Sequence, residues 1–171
     1  MYDPSIICES PRLIVRRLSL EDASFLFRLF NEPSWISGIG DRGVRSVEDA
    51  SRYIESRTFA QYRSLGYGMN ALILKETGAA IGVCGLTLKP YLPCPDIGFA
   101  VLEQFRGHGY ATEAARAVID HAAKVLGIQR LAAVRFPDNE RSARVLERLG
   151  FRFESGDVVT PEAQRLLLYV L

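Results

Sequence analysis

The sequence predicts a single α/β domain over residues 1–171, with a mixed central β-sheet and flanking helices. Three observations predict it. Short apolar runs of strand length alternate with stretches whose apolar residues recur at helical spacing. Two of the strand runs flank a tight turn with glycine, as a hairpin requires. A third, Ile97 to Leu102, leads through a loop with two glycines into a helical pattern, the connection typical of α/β folds.

Taken in order, Arg12 to Leu18 reads as the first strand. Ser19, with Asp22 three residues on, forms a capping signature for a helix through Phe25, Leu26, Leu29 and Phe30, ending before Pro33. Trp35 to Val44 reads as a glycine-rich loop. Ser46 and Asp49 repeat the capping signature for a second helix with Tyr53, Ile54, Phe59 and Tyr62, closed by Gly66. Met69 to Lys75 and Ala80 to Leu88 are the hairpin around Glu76 to Ala79. Pro90, Pro93 and Pro95 break the chain before a strand starting at Asp96. Ala111, Ala114, Ala115, Val118, Ile119, Ala122, Val125 and Leu126 mark one face of the central helix, stopped at Gly127. Arg130 to Phe136 is the next strand. Asp138 and Asn139 then open a helix with Ser142, Val145, Leu146 and Leu149 on one face, ended by Gly150. Phe151 to Glu154 and Arg165 to Val170 make a last pair of strands.

Apolar residues are 48% and charged residues 24%, enough to build a sizeable core and ordinary for a soluble domain. The net charge of +1, with both signs interspersed, lacks the basic stripe that nucleic acid demands. No run approaches a membrane span, and Met1 to Pro4 lacks a signal pattern, so no membrane partner is expected. Cys8, Cys84 and Cys94 are odd in number and irregularly spaced; they read as free thiols in a reducing cytoplasm. No metal site is expected.

The loop Gln104-Phe105-Arg106-Gly107-His108-Gly109-Tyr110-Ala111 carries the chemistry. Glycines let backbone approach a ligand, and the first amides of the following helix have no intrahelical partner. With the helix dipole they form an anion site suited to a phosphate or pyrophosphate. Walker A fails for want of its Lys and Ser/Thr. The dinucleotide fingerprint would need glycine at Thr112 and a preceding βαβ run. The pattern Q/R-x-x-G-x-G/A is filled without a gap by Gln104, Gly107 and Gly109. Ordinary turn chemistry is the plainer alternative.

That pattern resembles the acetyl-coenzyme A loop of the GNAT acyltransferases. The likeness extends to Arg12–Asp22, to Asp96-Ile97-Gly98-Phe99 and to Asn139-Glu140-Arg141-Ser142 with Leu149-Gly150-Phe151. The order of elements is similar to the GNAT fold over nearly the whole chain, nearest to the ribosomal-protein-alanine N-acetyltransferase-like branch. The resemblance implies a sheet splayed at a cofactor cleft between the Ile97–Leu102 and Arg130–Phe136 strands. It implies acetyl-CoA as co-substrate, with pantetheine on amides near Phe99, Ala100, Val101 and Leu102 and near Asn139. Pyrophosphate is expected on amides from Gln104 to Ala111, including Gly107, Gly109 and Tyr110, with Arg106 and His108 either helping or merely solvated. A monomer or homodimer is expected.

Acetyl transfer to an amine needs a base, a donor to the developing oxyanion and a stabilised thiolate. Asp96 is the first candidate base, since the resemblance places a carboxylate there in some GNAT enzymes. The alternatives are a solvated turn residue, or a water relay through Glu103, Tyr91 or a carboxylate elsewhere in the chain. Cys94 has no base pattern beside it. Many relatives put a tyrosine donor where this chain has Leu146. The resemblance then leaves Ser142 as donor to the sulfur, against a capping role for its hydroxyl. Trp35, Tyr67 and Tyr91 are candidate walls for the acceptor, and Asp41 a candidate attractor for a cationic amine; an ordinary core or surface place is the equal alternative for each. A protein N-terminal α-amine or a small amine fits this reading. A coenzyme A-binding sensor or scaffold with little activity is the alternative.

Overall fold

In the computed structural model, residues 5–171 are described, Asp157 by its backbone alone. Eight strands form one sheet in the order β1-β2-β3-β4-β5-β6-β8-β7. They are β1 (Ile6–Glu9), β2 (Leu13–Arg17), β3 (Met69–Leu74), β4 (Ala80–Thr87), β5 (Asp96–Val101), β6 (Ala132–Arg135), β7 (Arg152–Val159) and β8 (Arg165–Val170). Every neighbouring pair is antiparallel except β5 and β6, which run parallel. The helices are α1 (Ala23–Phe30), α2 (Pro33–Gly38), α3 (Val47–Tyr53), α4 (Phe59–Leu65), α5 (Tyr110–Lys124) and α6 (Glu140–Arg148).

One face of the sheet is covered by α5 and α6. Leu13, Val15, Leu72, Ile97 and Val101 pack with Ala114, Ala115, Val118 and Ala122, and Ala133 and Tyr169 with Leu146. Alanines at the inner positions of α5 let its backbone lie close to the sheet. The other face carries α1 to α4, with Leu26, Leu29, Trp35, Ala50 and Ile54 against Ala71, Val83 and Leu102. Two layers of helix thus bury both sides of β3 to β5, which explains why those strands are nearly continuous apolar runs.

Four elements depart from the sequence reading. Strand β1 was not expected; it adds an edge to β2 with a register shift between Ile6 and Cys8. Pro33 starts a helix rather than following one, because a proline at the first position forfeits no helical hydrogen bond. The second helix is interrupted by a wider π-type turn over Ile54–Thr58, splitting it into α3 and α4. Strand β7 runs on to Val159, past Glu154. Two bulges, one between Phe153 and Ser155 and one between Ser155 and Val158, insert residues that break the two-residue alternation.

At the start of α1, Ser19 and Asp22 form the expected capping box. The Asp22 carboxylate also accepts from both terminal nitrogens of Arg16, each at 2.8 Å. Burial alone would raise the Asp22 carboxyl, but hydrogen bonds from Arg16 and Ser19 and the Arg16 charge together hold it below its ordinary value. A lowered carboxylate contributes stability that is complete above the unfolded value and disappears as pH falls through the folded one. Asp22→Asn should therefore lower stability at neutral pH and flatten its loss on acidification below about pH 4. Urea titrations of both proteins from neutral to acid pH check this.

Candidate active site

Strand β5 pairs with β4 over its whole length, from Asp96 opposite Thr87 to Val101 opposite Gly82. With β6 it pairs at a single position, Asp96 opposite Ala132, next to the bond from Ala132 N to Pro95 O at 2.9 Å. Beyond that position β6 keeps only its other partner, β8. A wedge therefore opens between β5 and β6 toward their C-terminal ends. Leu102 N donates to Ile81 O at 2.9 Å, which fixes the alternation along β5. Ala100 and Leu102 turn their main-chain groups to β4, and Phe99 and Val101 turn theirs into the wedge. Of the four residues expected to offer amides, Ala100 and Leu102 are thus already committed to the sheet.

The loop after β5 begins with a tight turn. Phe105 N donates to Leu102 O at 2.9 Å and Arg106 N to Glu103 O at 3.2 Å, so these two amides are not available to a ligand. Gly107 and Gly109 then adopt φ of +81° and +79°, a region costly for residues with a Cβ. Gly109 caps α5 without a side-chain hydrogen bond, and the first helical bond is Glu113 N to Gly109 O at 3.0 Å. No protein acceptor among the described residues meets the amides of Gly107, His108, Gly109, Tyr110, Ala111 and Thr112. They form a run of donors at the positive end of a 15-residue helix.

Side chains brace this loop. Arg106 Nε donates to Val101 O at 2.8 Å and its Nη2 pairs with Glu32 at 2.9 Å, while its buried Nη1 has no partner among the described residues. Gln104 Oε1 accepts from Arg28. The Glu32 carboxylate accepts from Glu103 N at 3.1 Å. His108 Nδ1 donates to Arg106 O at 2.9 Å, and its ring stacks on Tyr110. Gln104, Arg106 and His108 therefore hold the loop's shape rather than reaching freely toward a phosphate. Arg12 went unforeseen as a neighbour of this loop. Its guanidinium lies 4.5 Å from the Tyr110 ring centre and pairs with Glu113 at 2.6 Å, a contact across 101 residues that no local pattern signals.

At the closed end of the wedge, Asp96 is 3% exposed, so it is not a solvated turn residue. Its Oδ1 accepts from Thr87 Oγ1 at 2.5 Å and its Oδ2 from Lys89 Nζ at 2.6 Å. The sequence does not single out Lys89 as its partner; it stands seven residues before Asp96, across a proline-rich connection whose path the sequence does not reveal. Burial, helped by the Asp96 charge, raises the Tyr67 hydroxyl. Tyr91 is raised by burial, Asp96 and Glu162, against Arg42. Glu103 lies beyond the opposite end of β5 and does not join this group. The Cys94 thiol is raised by burial, and by Glu154 and Asp96 against Arg130, which keeps it protonated and a poor nucleophile.

Asn139 caps α6 by accepting from Ser142 N at 3.2 Å. Its Nδ2 donates to Gly38 O at 3.2 Å, tying α6 to the end of α2. The half-buried Ser142 hydroxyl makes no hydrogen bond among the described residues, so the cap is Asn139's alone. Leu146 is fully buried in the core beneath α6. Trp35 is core as well, packed on Phe30 with its Nε1 donating to Gly40 O at 3.1 Å. Asp41 is already neutralised: a side-chain bond from Arg45, then the Gly43 amide, lowers its carboxyl to about 2. No helix among the described residues is long and apolar enough to cross a membrane. No group of three or more His, Cys, Asp and Glu side chains is placed to hold a metal ion among those residues.

The chain as a whole is similar to known proteins. The model of the acetyltransferase (GNAT) domain matches residues 12–152. The chain is 29% identical over 150 residues to an uncharacterized N-acetyltransferase, YoaA, of Bacillus subtilis (strain 168), covering 86% of this chain and 84% of that one. Among solved structures, the acetyltransferase from Agrobacterium tumefaciens str. C58 has a TM-score of 0.81 at 27% identity, over 100% of this chain and 95% of its own. RimL, a ribosomal L7/L12 alpha-N-protein acetyltransferase in complex with coenzyme A, has a TM-score of 0.81 at 21% identity over 97% of each chain, a likeness of fold.

Two substitutions probe the geometry. Gly109→Val places a side chain beside the free amides in a backbone region valine avoids; coenzyme A affinity by calorimetry should fall by about tenfold or more, since one lost charge-assisted bond amounts to roughly that. Leu146→Tyr should overpack the core and lower stability by about 1–3 kcal/mol, read from urea midpoints.

Proposed function

Since the chain belongs to the GNAT acetyltransferase family and so acts with acetyl-CoA, we propose that it transfers the acetyl group to a primary amine by direct attack. The observation that carries this reading is the wedge between β5 and β6, with a buried carboxylate at its closed end and unpaired amides at its open end. The residues fit the co-substrate. Amides from Gly107 to Thr112 suit the pyrophosphate, and the wedge-facing amides of Phe99 and Val101 suit the pantetheine arm. Acetyl-CoA supplies an activated thioester; the chain supplies position, a base and a donor. Holding amine and thioester together removes much of the barrier without a covalent enzyme intermediate. The protonated Cys94 thiol agrees with that route.

Asp96 is the base in this reading. It grips a primary ammonium already, that of Lys89, so its surroundings suit the charge and size of an amine acceptor. An incoming amine gives its proton to Asp96 and attacks the thioester carbon. The free Ser142 hydroxyl donates to the departing sulfur. A thiol near pKa 8.5 leaves readily, so one hydrogen bond suffices where the commoner tyrosine is replaced by Leu146. The acceptor reading is a protein N-terminal α-amine or a small amine. RimL, which acts on a ribosomal protein's α-amine, shares the fold and supports the first.

Burial of Leu146 and occupation of Asp96 by Lys89 favour one rival, a coenzyme A-binding sensor or scaffold with little chemistry. Thiol release from acetyl-CoA against a panel of peptide and small amines decides between them, and release in no well sinks the transferase reading. With a good acceptor, Asp96→Asn should lower kcat/KM by about 10²–10⁴ with acetyl-CoA affinity kept. Ser142→Ala should lower kcat roughly five- to 150-fold without a fall in Tm, since Asn139 still caps α6. A loss below about threefold in Asp96→Asn, far short of a general base's contribution, places the base elsewhere.

A further inference from the structure

Of the 21 basic residues, three are lysines, Lys75, Lys89 and Lys124, and the others are arginines. The distinction matters in a chain that acetylates amines. A lysine can shed its proton and become a nucleophile, whereas a guanidinium stays charged in proteins. Lys75 pairs with Glu9 at 2.7 Å and Lys124 with Asp120 at 3.5 Å, both carboxylates half or more exposed. Lys89 differs. Its Nζ lies 2.6 Å from Asp96 Oδ2, a side chain 4% exposed, at the one position where β5 and β6 pair. The chain's own primary amine stands where the acceptor of the proposed reaction belongs.

The Lys89 side chain is 32% exposed, and Asp96 is its one polar partner among the described residues. No second hydrogen bond or ion pair among the described residues fixes its ammonium. The nearest wedge-facing amide without a strand partner belongs to Phe99, three residues along β5 from Asp96. That is about 10 Å at the rise of a strand. A four-carbon stem pivoting at Lys89 and a thioester arm lying along the wedge can close that span from both ends.

Resting on the reading of the wedge as the acetyl-CoA site and of Asp96 as base, we infer that the protein acetylates its own Lys89. Asp96 takes one proton from the Lys89 ammonium and passes it to solvent. The freed Nζ lone pair attacks the thioester carbon, an N–C bond forms and the C–S bond breaks. The second proton leaves the nitrogen for the sulfur, giving acetyl-lysine and coenzyme A thiol. The product is neutral, so the ion pair is lost and Asp96 keeps only Thr87.

The test uses the full chain with acetyl-CoA and no added amine, followed by intact mass and peptide mapping. One acetyl group per chain is expected, on Lys89 in about tenfold or greater preference over Lys75 and Lys124, because proximity favours an amine held at the base. Its rate should not change with protein concentration, as an intramolecular step requires. Asp96→Asn should slow labelling by about 10²–10⁴. Lys89→Arg should abolish it while keeping the cationic partner of Asp96. An unlabelled Lys89, label spread evenly over the three lysines, or a rate rising with protein concentration overturns the inference. Calorimetry with coenzyme A and the amine panel, run on the same preparation, separate the two levels. Binding and turnover with Lys89 unlabelled defeat this inference alone, and absence of binding defeats the reading beneath it.

Discussion

The parallel contact between β5 and β6 ends almost where it begins, and the rest of the site depends on that interruption. Parallel strands in a sheet ordinarily exchange hydrogen bonds along their length, because an unpaired buried amide is costly. Here one residue pair, Asp96 with Ala132, joins the two halves of the sheet, and the amides of Phe99 and Val101 are left facing a gap. The halves are kept together elsewhere. Helix α5 packs across β1, β2, β4 and β5 and against α6, α6 covers β6, and the Asn139 amide reaches from α6 to Gly38 on the opposite side.

The loop that closes β5 shows a division of labour between backbone and side chains. Gly107 and Gly109 turn the chain so that successive amides point outward, and no acceptor among the described residues competes for them. The polar side chains around them are spent on shape. Arg106, Gln104, Glu32 and Arg28 lock the loop to α1 and to the end of β5, so an incoming anion meets donors that need little reordering. Preorganisation of this kind favours binding by lowering the entropy lost on association. It also explains why side-chain identity in the loop says less than the two glycines do.

The opposite end of β5 is governed by charge. A carboxylate as buried as Asp96 needs a partner, and the chain provides one cation and one hydroxyl. In a protein that handles amines this pairing couples structure to chemistry: the feature that stabilises the buried acid is itself an amine. The sequence showed Asp96 opening an apolar strand and left its partner unknown. It likewise left open whether Asp41 and Trp35 face an acceptor or belong to surface and core; Arg45 pairs with the first and Phe30 packs on the second.

What the sequence determined by itself was local and periodic. Helical and strand spacing, the Ser19 and Ser46 caps, the proline breaks and the two loop glycines are set by interactions within a few residues, and they were legible as such. They sufficed for the fold class, the order of most elements and the place of the two-glycine loop before α5. Where local periodicity was broken, as by the bulges of β7 or the π-type turn after Tyr53, the reading lost its boundaries. Only the tertiary structure decided which amides of β5 face the wedge, that the Asn139 amide reaches Gly38, and that Arg12 meets Glu113 across 101 residues. It also decided that Lys89 holds Asp96. Those outcomes follow from how strands register and helices cross, and the partner of a charge or an amide is fixed by that packing rather than by its neighbours in sequence.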